Sequence, residues 1–249
     1  MNLVDLSGKR ILVTGASSGI GRACAILISQ LGGSVVLTGR RAEALDETLR
    51  QMENQERHLI HPCDICDSAA VAELVKASGK IDGLVHAAGI GPMCPIGFID
   101  EEHVQGVMKT NYFAFLELMK HYSKARNRSD GLSVVAISSV SAMVGWGGGA
   151  IYCGSKGAVS ASVRALALEL AAKGIRVNAV CPSNVKTPLY ESGAADVNDE
   201  EGLASLKAKQ PLGLGMPEQV ASAVAFLLSD ASSFITGVNL PVDGGYLAQ

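Results

Sequence analysis

Tyr152 and Lys156 stand four residues apart, thirteen residues after Ser139. On a helix that spacing puts both side chains on one face, one turn from each other. A free phenol has a pKa of about 10, too high for easy proton exchange at neutral pH. A neighbouring ammonium is expected to stabilise the phenolate and bring that value down. Such a phenol can act as general acid or base toward an oxygen whose carbon gains or loses a hydride. The pair alone is weak, because a tyrosine four residues before a lysine is common in chains of this length. It gains force from Thr14, Gly15, Gly19, Ile20 and Gly21 near the start of the chain. A glycine cluster between an apolar strand and a helix is much rarer. Together the two features point to hydride transfer involving a nicotinamide dinucleotide.

The cluster has the parts of a phosphate cradle. Gly15 permits a tight turn and close approach of backbone to phosphate. Gly19 and Gly21 open a helix whose free N–H groups and dipole favour a pyrophosphate, and Ser17 and Ser18 add hydroxyl donors. The bland alternative is a glycine-rich turn without a ligand. Nucleotide preference is read at the end of the second strand, where an acid would favour NAD. Here the chain has Gly39, Arg40 and Arg41. Gly39 cannot accept a bond from a ribose hydroxyl, and the planar cation of Arg40 suits a 2′-phosphate. NADP(H) is therefore expected ahead of NAD(H), against the plain alternative that both arginines start a solvated helix. Asp64 follows the third strand, where it can accept from an adenine amino group. Ala88 and Gly89 follow the fourth, where small residues let a cofactor lie against the backbone.

Positioning these groups requires alternating strands and helices. Apolar runs at 9–14, 34–38, 58–62, 82–87, 133–138, 176–181 and 238–241 read as seven strands. They are continuous rather than alternating in polarity, the mark of strands buried on both faces and hence of a parallel sheet. Helical patterns fill 19–31, 42–55, 69–77, 101–122, 152–172 and 217–228. The expected fold is α/β: one Rossmann-type, doubly wound domain over residues 1–249, with a seven-stranded parallel sheet flanked by helices. The long irregular stretch 182–214 follows a strand end, where ligands bind in such sheets. It reads as a substrate lid with a short helix near 200–209.

Composition excludes several classes. The 249 residues are 48% hydrophobic with a net charge of −3, which gives no reason to expect a nucleic-acid partner. No run approaches the roughly 20 apolar residues of a membrane helix, and the N-terminal residues lack a signal-peptide pattern. The six cysteines are scattered through apolar stretches, as expected for reduced thiols in the cytoplasm. His58, His61, Cys63 and Cys66 crowd nine residues, but at a spacing unlike zinc fingers and mostly within a strand, so no metal is expected. The helix from Tyr152 carries two apolar stripes. Val159, Val163, Leu166 and Leu170 can face the sheet, which leaves Ala158, Ala161, Ala165 and Leu168 for a partner.

With these residues in place, the sequence resembles a classical short-chain dehydrogenase/reductase over essentially its whole length. The resemblance rests on Thr14, Gly15, Gly19, Ile20, Gly21, Asp64, Ala88, Gly89, Asn111, Ser139, Tyr152, Lys156, Asn178, Pro182 and the closing Val242, Asp243, Gly244 and Gly245. It implies that Lys156 holds the nicotinamide ribose and that Ser139 donates to the substrate carbonyl oxygen. It further implies that Asn111 holds a water linking Lys156 to solvent. Ile65 and Pro182 join the cofactor-binding set, and Val185 and Thr187 hold the carboxamide. Taken singly, Asn111 reads as a solvated helix residue, and Ser139 as one of several serines satisfying a strand end. Two places depart from the family pattern. His86 and Ala87 stand where two asparagines are usual, which puts a supporting hydrogen-bond network in doubt. Ser183 stands where a glycine is usual. The tyrosine–lysine spacing argues against the enoyl-reductase branch.

The resemblance implies an NADPH-dependent oxidoreductase that reversibly reduces a carbonyl to an alcohol, similar to 3-oxoacyl-carrier-protein reductases. It also implies a homodimer or homotetramer through the long helices. The alternatives are an NADP-dependent alcohol, sugar or steroid dehydrogenase, and a cofactor-binding regulator without turnover. Met93, Pro95, Met143, Trp146, Asn184 and Tyr190 are candidates for lining a small-molecule pocket. Trp146, in its glycine loop, fits equally a pocket wall or a cap on the core.

Overall fold

The computed structural model describes residues 4–193 and 200–248. Strand β1, Arg10–Thr14, has no polar face: every residue after Arg10 is buried. Its side chains alternate between two cores. Leu12 packs into one, and Ile11 and Val13 into the other. A strand covered on both sides needs helices above and below, and these follow in order.

Helix α1 (Gly19–Gln30) leads to β2 (Ser34–Thr38) and α2 (Ala42–Leu49). Next come β3 (Leu59–Ile60), α3 (Ser68–Ser78) and β4 (Ile81–His86). Helices α4 (Glu101–Met108) and α5 (Ala114–Tyr122) precede β5 (Arg128–Ile137). Helix α6 (Ala150–Leu170) and β6 (Arg176–Pro182) follow. The chain continues through α7 (Pro188–Gly193), α8 (Glu200–Lys209), α9 (Pro217–Leu228) and β7 (Asn239–Val242).

All seven strands are parallel, in the order β3-β2-β1-β4-β5-β6-β7. Helices α3, α5 and α6 cover one face, with Leu74, Phe115, Leu118 and Val163 fully buried. Helices α1, α2 and α9 cover the other through Ile28, Leu45 and Val224. The chain reverses its direction across the sheet between β1 and β4. A crevice therefore opens beyond the carboxyl ends of the strands. Thr14, Thr38, His86, Ile137 and Pro182 all end their strands on that edge.

The elements differ from the sequence-based expectation at several boundaries. The expected strand 58–62 contracts to two residues, because Pro62 has no N–H to offer a ladder. Its pairing persists irregularly, with His61 and Cys63 N–H groups donating to Leu37 and Gly39 carbonyls. The expected helix 42–55 stops at Leu49, and Asn54 enters the left-handed region at φ +52°. Strand β5 begins before residue 133. Its ladder with β4 slips between Ile81–Arg128 and Gly83–Ser133, and Gly131 (φ +80°) hosts the irregularity. Helix α6 starts at Ala150, two residues before Tyr152.

The largest difference is in the expected helix 101–122. A π turn at Lys109–Phe113 divides it, with the Ala114 N–H bonded to the Lys109 carbonyl five residues back. Such turns recur at functional sites. Here it carries Asn111, which is fully buried and not a solvated helix residue. The stretch 182–214 holds α7 as well as the expected helix, α8, at 200–209. Residues 194–199 of that stretch lie outside the described residues.

Candidate active site

The glycine turn is held by contact on all sides. A Cβ on Gly15 (φ +66°) would lie 2.8 Å from the Ala88 nitrogen, and one on Gly21 would lie 2.2 Å from the Gly15 carbonyl oxygen. Any side chain at either position would fill the cradle or force its backbone apart. Thr48 Oγ1 donates to the Ala16 carbonyl (2.8 Å) and Arg22 Nη2 to the Ser17 carbonyl (2.6 Å), so the turn is tied from behind. Ser18 is the N-cap of α1 but makes no capping bond with its side chain, and no acid sits in the first turn. The start of α1 is thus open to an anion.

Ser17, Ser18, Gly19, Ile20 and Gly21 line a cleft of about 1240 Å³. That exceeds the roughly 300–1,000 Å³ of an ordinary small-ligand pocket. It has room for a dinucleotide and a second molecule. Arg40, Arg41 and Asp64 stand exposed at one end of it. Asp64 Oδ1 accepts from the Cys66 N–H at 2.9 Å. Ile65 also lines the cleft, but its side chain is 8% exposed and belongs to the core.

At the other end stand Ser139, Tyr152 and Lys156. Ser139 lies two residues beyond β5, where its Oγ accepts from the Ser141 N–H (3.1 Å). Lys156 is only 4% exposed. Its Nζ donates to the Ile137 carbonyl at 2.8 Å and lies 5.7 Å from the centre of the Tyr152 ring. Pro182 and Val185 are buried at the exit of β6 and also line the cleft. Thr187 Oγ1 donates to the Val185 carbonyl (3.2 Å) and accepts from the Tyr190 N–H (3.2 Å), which fixes the first turn of α7.

The expected lowering of the phenol by its lysine is not what the structure gives. Burial pushes the Tyr152 phenol above its ordinary value, with the Ser139 hydroxyl pulling it partway back. Burial also draws Lys156 down to about 8. Both groups leave water, and desolvation penalises each charged form. The ammonium, held on the Ile137 carbonyl, does not overcome that cost for the phenol.

Asn111 spends its side chain on protein. Its Oδ1 accepts from the Ile90 N–H (2.8 Å), and its Nδ2 donates to the Ile90 carbonyl and to Ser155 Oγ (both 2.9 Å). The supporting network put in doubt by His86 and Ala87 is thus present. His86, Ser155 and Thr14 complete it. Ser183 likewise has a role. Its hydroxyl lies 2.8 Å from Gln210 Oε1 and 2.9 Å from the Asp243 carbonyl. Gln210, 1% exposed, also donates to the carbonyls of Asn184 and Gly213 and so fastens the end of α8 to the exit of β6. Nothing in the sequence marks Gln210. Ser155, by contrast, is legible as the residue one turn after Tyr152.

Trp146 resolves as a cleft wall. Its ring centre is 6.4 Å from that of Tyr152, its Nε1 donates to Ser141 Oγ (3.2 Å), and a Cβ on Gly149 would be 2.4 Å from the indole. Asn184 and Tyr190 line the cleft as expected. Met93, Pro95 and Met143 do not: Met93 folds against Gly148, and Met143 faces outward. Ile90, Val144, Leu189, Leu206 and Tyr246 supply the walls instead. His58 is committed to the backbone. Its Nδ1 accepts from the Val35 N–H (3.1 Å), and its Nε2 lies 2.8 Å from the Glu53 carbonyl. No helix among the described residues is long and apolar enough to cross a membrane.

The cradle fits a pyrophosphate-bearing dinucleotide, and known proteins with this architecture carry the same implication. A family model described as enoyl-(acyl carrier protein) reductase matches residues 15–247. The cis-4-hydroxycyclohexanecarboxylate dehydrogenase of Sinomonas cyclohexanicum is 38% identical over 244 residues, 95% of this chain and 96% of that protein. A 3-oxoacyl-(acyl-carrier-protein) reductase of Rickettsia felis is 35% identical over 252 residues, 98% and 99% of the two chains. Among solved structures, one from Sinorhizobium meliloti assigned as a short-chain alcohol dehydrogenase superposes with a TM-score of 0.92 at 33% identity, covering 99% of both chains. One from Agrobacterium tumefaciens, assigned as a 2-deoxy-D-gluconate 3-dehydrogenase and holding NADP, gives 0.89 at 32% over the full length of both. The chain therefore belongs to the short-chain dehydrogenase/reductase family, oxidoreductases of alcohols and carbonyls that bind a nicotinamide cofactor.

Proposed function

We propose that the protein is an NADPH-dependent carbonyl reductase, reversible as an alcohol dehydrogenase, with Tyr152 as its general acid and base. The observation that carries this reading is the convergence of Ser139, Tyr152 and Lys156 at one end of the cleft that the glycine turn opens. A bound reduced nicotinamide supplies the hydride. In reduction, Ser139 Oγ donates to the substrate oxygen as charge builds there, and the Tyr152 phenol delivers the proton. Lys156 holds the cofactor ribose and favours the phenolate left behind. Asn111 supports that lysine from the π turn. Arg40, with Arg41 beside it, receives the 2′-phosphate that distinguishes NADP from NAD. Gly15 to Gly21 take the pyrophosphate, Asp64 and Ile65 the adenine side, Ala88 and Gly89 the ribose, and Pro182, Val185 and Thr187 the carboxamide.

Helices α7 and α8 cover the substrate side of the cleft through Leu189, Tyr190 and Leu206, with Gln210 fastening the end of α8. The substrate is an uncharged ketone at its reacting end, since Val144, Trp146 and Leu189 offer apolar walls. The names of the relatives span ring alcohols, 3-oxoacyl thioesters and sugar acids. The matching family model is named for enoyl reduction. The alcohol and carbonyl chemistry of the relatives and the tyrosine–lysine spacing favour the carbonyl. Leu168, 85% exposed on α6 beside exposed Ala161 and Ala165, supports pairing of this helix in a homodimer or homotetramer. The buried free thiols of Cys24, Cys63, Cys94 and Cys181 are in keeping with a reducing cytoplasm.

The test is a panel of cyclic, sugar and 3-oxoacyl thioester ketones, followed by nicotinamide absorbance with each cofactor. Turnover preferring NADPH is expected. Cofactor binding with no turnover across the panel would favour the regulator reading instead.

A further inference from the structure

His86 ends β4 with its ring 1% exposed, between the glycine turn and the π turn. The groups around it settle where its proton sits. Thr14 Oγ1 accepts from the N–H groups of Ala87 (3.2 Å) and Ala88 (3.1 Å), and lies 3.2 Å from His86 Nδ1. A threonine hydroxyl has two lone pairs and one hydrogen. Both lone pairs are taken, so the hydrogen points at Nδ1. On the far side, His86 Nε2 is 3.3 Å from the Asn111 backbone carbonyl, which can only accept. Both neighbours therefore demand the same form, a neutral ring with its proton on Nε2. Burial and the Lys156 charge hold the ring neutral, drawing its pKa down to about 3. Phe115, 5.5 Å away between ring centres, packs against it.

The chain of donors continues in one direction. Asn111 Nδ2 donates to Ser155 Oγ (2.9 Å), and Ser155 Oγ donates to the Tyr152 carbonyl (2.8 Å). Along this path one hydrogen each of Thr14, His86, Asn111 and Ser155 points toward α6, and the second Asn111 amide hydrogen goes to the Ile90 carbonyl. The first residue of the chain adjoins Gly15, and the last bears the reacting phenol.

We propose that His86, as its neutral Nε2–H tautomer, is a positioning residue that locks the cofactor cradle to the start of α6 and so sets Tyr152 against the nicotinamide. This rests on the functional reading above. The coupling depends on both ring nitrogens, one accepting and one donating. A side chain of equal size without them loses the contacts to Thr14 and to the Asn111 carbonyl and leaves the π turn free to shift.

Three measurements test it. Nitrogen NMR of the labelled wild-type protein at neutral pH should show His86 with an acceptor-type Nδ1 and a protonated Nε2. His86→Phe keeps the ring packing and should lower kcat by about 10- to 100-fold, while KM and the dissociation constant for NADPH stay within about 3-fold. His86→Gln restores only the donor near the Nε2 position and should turn over about 3- to 10-fold faster than His86→Phe, short of wild type. A spectrum showing the proton on Nδ1, an active wild type matched by His86→Phe, or a His86→Gln as slow as His86→Phe overturns the proposal. If His86→Phe does not fold, the spectrum decides it. Failure of the functional reading would show instead as a wild type silent on every carbonyl.

Discussion

The two ends of the cleft are built on opposite plans. At the end proposed to be catalytic, Ser139, Lys156 and Asn111 are 7%, 4% and 0% exposed, and each is tied to backbone by at least one hydrogen bond. At the opposite rim, proposed to hold the nucleotide, Arg40, Arg41 and Asp64 are exposed. Burial fixes geometry and shifts proton affinities at one end. At the other, water screens the charges, and selectivity comes from the sign and shape of the side chain alone. A substitution at the first end should therefore stop the chemistry, and one at the second should retune it.

The sharpest way to break this contrast is Tyr152→Phe, which keeps the ring and removes the proton. Turnover should fall by roughly 10²–10⁴-fold. NADPH binding, followed by titration, should change little. Equal losses in both would show that the two ends are not separable. At the rim, Arg40→Asp should leave kcat near wild type and lower the NADPH-to-NADH ratio of kcat/KM by roughly 10- to 100-fold, as for loss of a charge-assisted bond. An unchanged ratio would take Arg40 out of phosphate recognition.

Beside Tyr152 but milder in effect, Trp146→Ala removes one apolar wall and the bond to Ser141. KM for a ring ketone should rise roughly 5- to 20-fold with kcat held within a few-fold, the mark of lost uniform binding. A fall in kcat alone would instead make the indole part of the proton path.

The smallest effect concerns stability. The folded lysine at position 156 releases its proton near 8, against an ordinary 10.5. Between those values the unfolded chain binds more protons, so stability rises with pH across that window, and the burden of the buried charge is fully present below it. Lys156→Met should accordingly raise the melting temperature of the cofactor-free protein at pH 7 by roughly 2–4 °C, a gain that fades toward pH 10. A variant that melts lower at pH 7 would show that the Ile137 bond outweighs desolvation.

Much of this contrast is legible in the sequence, for physical reasons. The strand before Gly15 is apolar on both faces, so its burial and the parallel sheet follow from residue type alone. Gly15 and Gly21 announce a turn that no side chain can enter. Lys156 is readable because helical periodicity places it beside Tyr152. What the sequence hides depends on contacts between distant segments. The apolar spacing over 101–122 runs on unbroken, so nothing local betrays the π turn that buries Asn111. His86 reads as a departure from a pattern, although its two nitrogens keep a network intact. Its partners, Thr14 and Asn111, come from other elements. The phenol's upward shift is similarly invisible, because a neighbouring lysine can be counted from spacing but desolvation cannot. Gln210 gives no signal at all, being one amide whose three carbonyl and serine partners lie across a strand end and two loops.

Trp146 is the sole tryptophan of the chain, 41% exposed and stationed beside the Tyr152 ring. Tryptophan emission, excited at wavelengths that the five tyrosines do not absorb, consequently originates at a single address, the mouth of the cleft. Quenching or a spectral shift on adding coenzyme, ketone or product reports events at that mouth with no background from elsewhere in the polypeptide. The molecule carries its own optical probe, with no label to be attached.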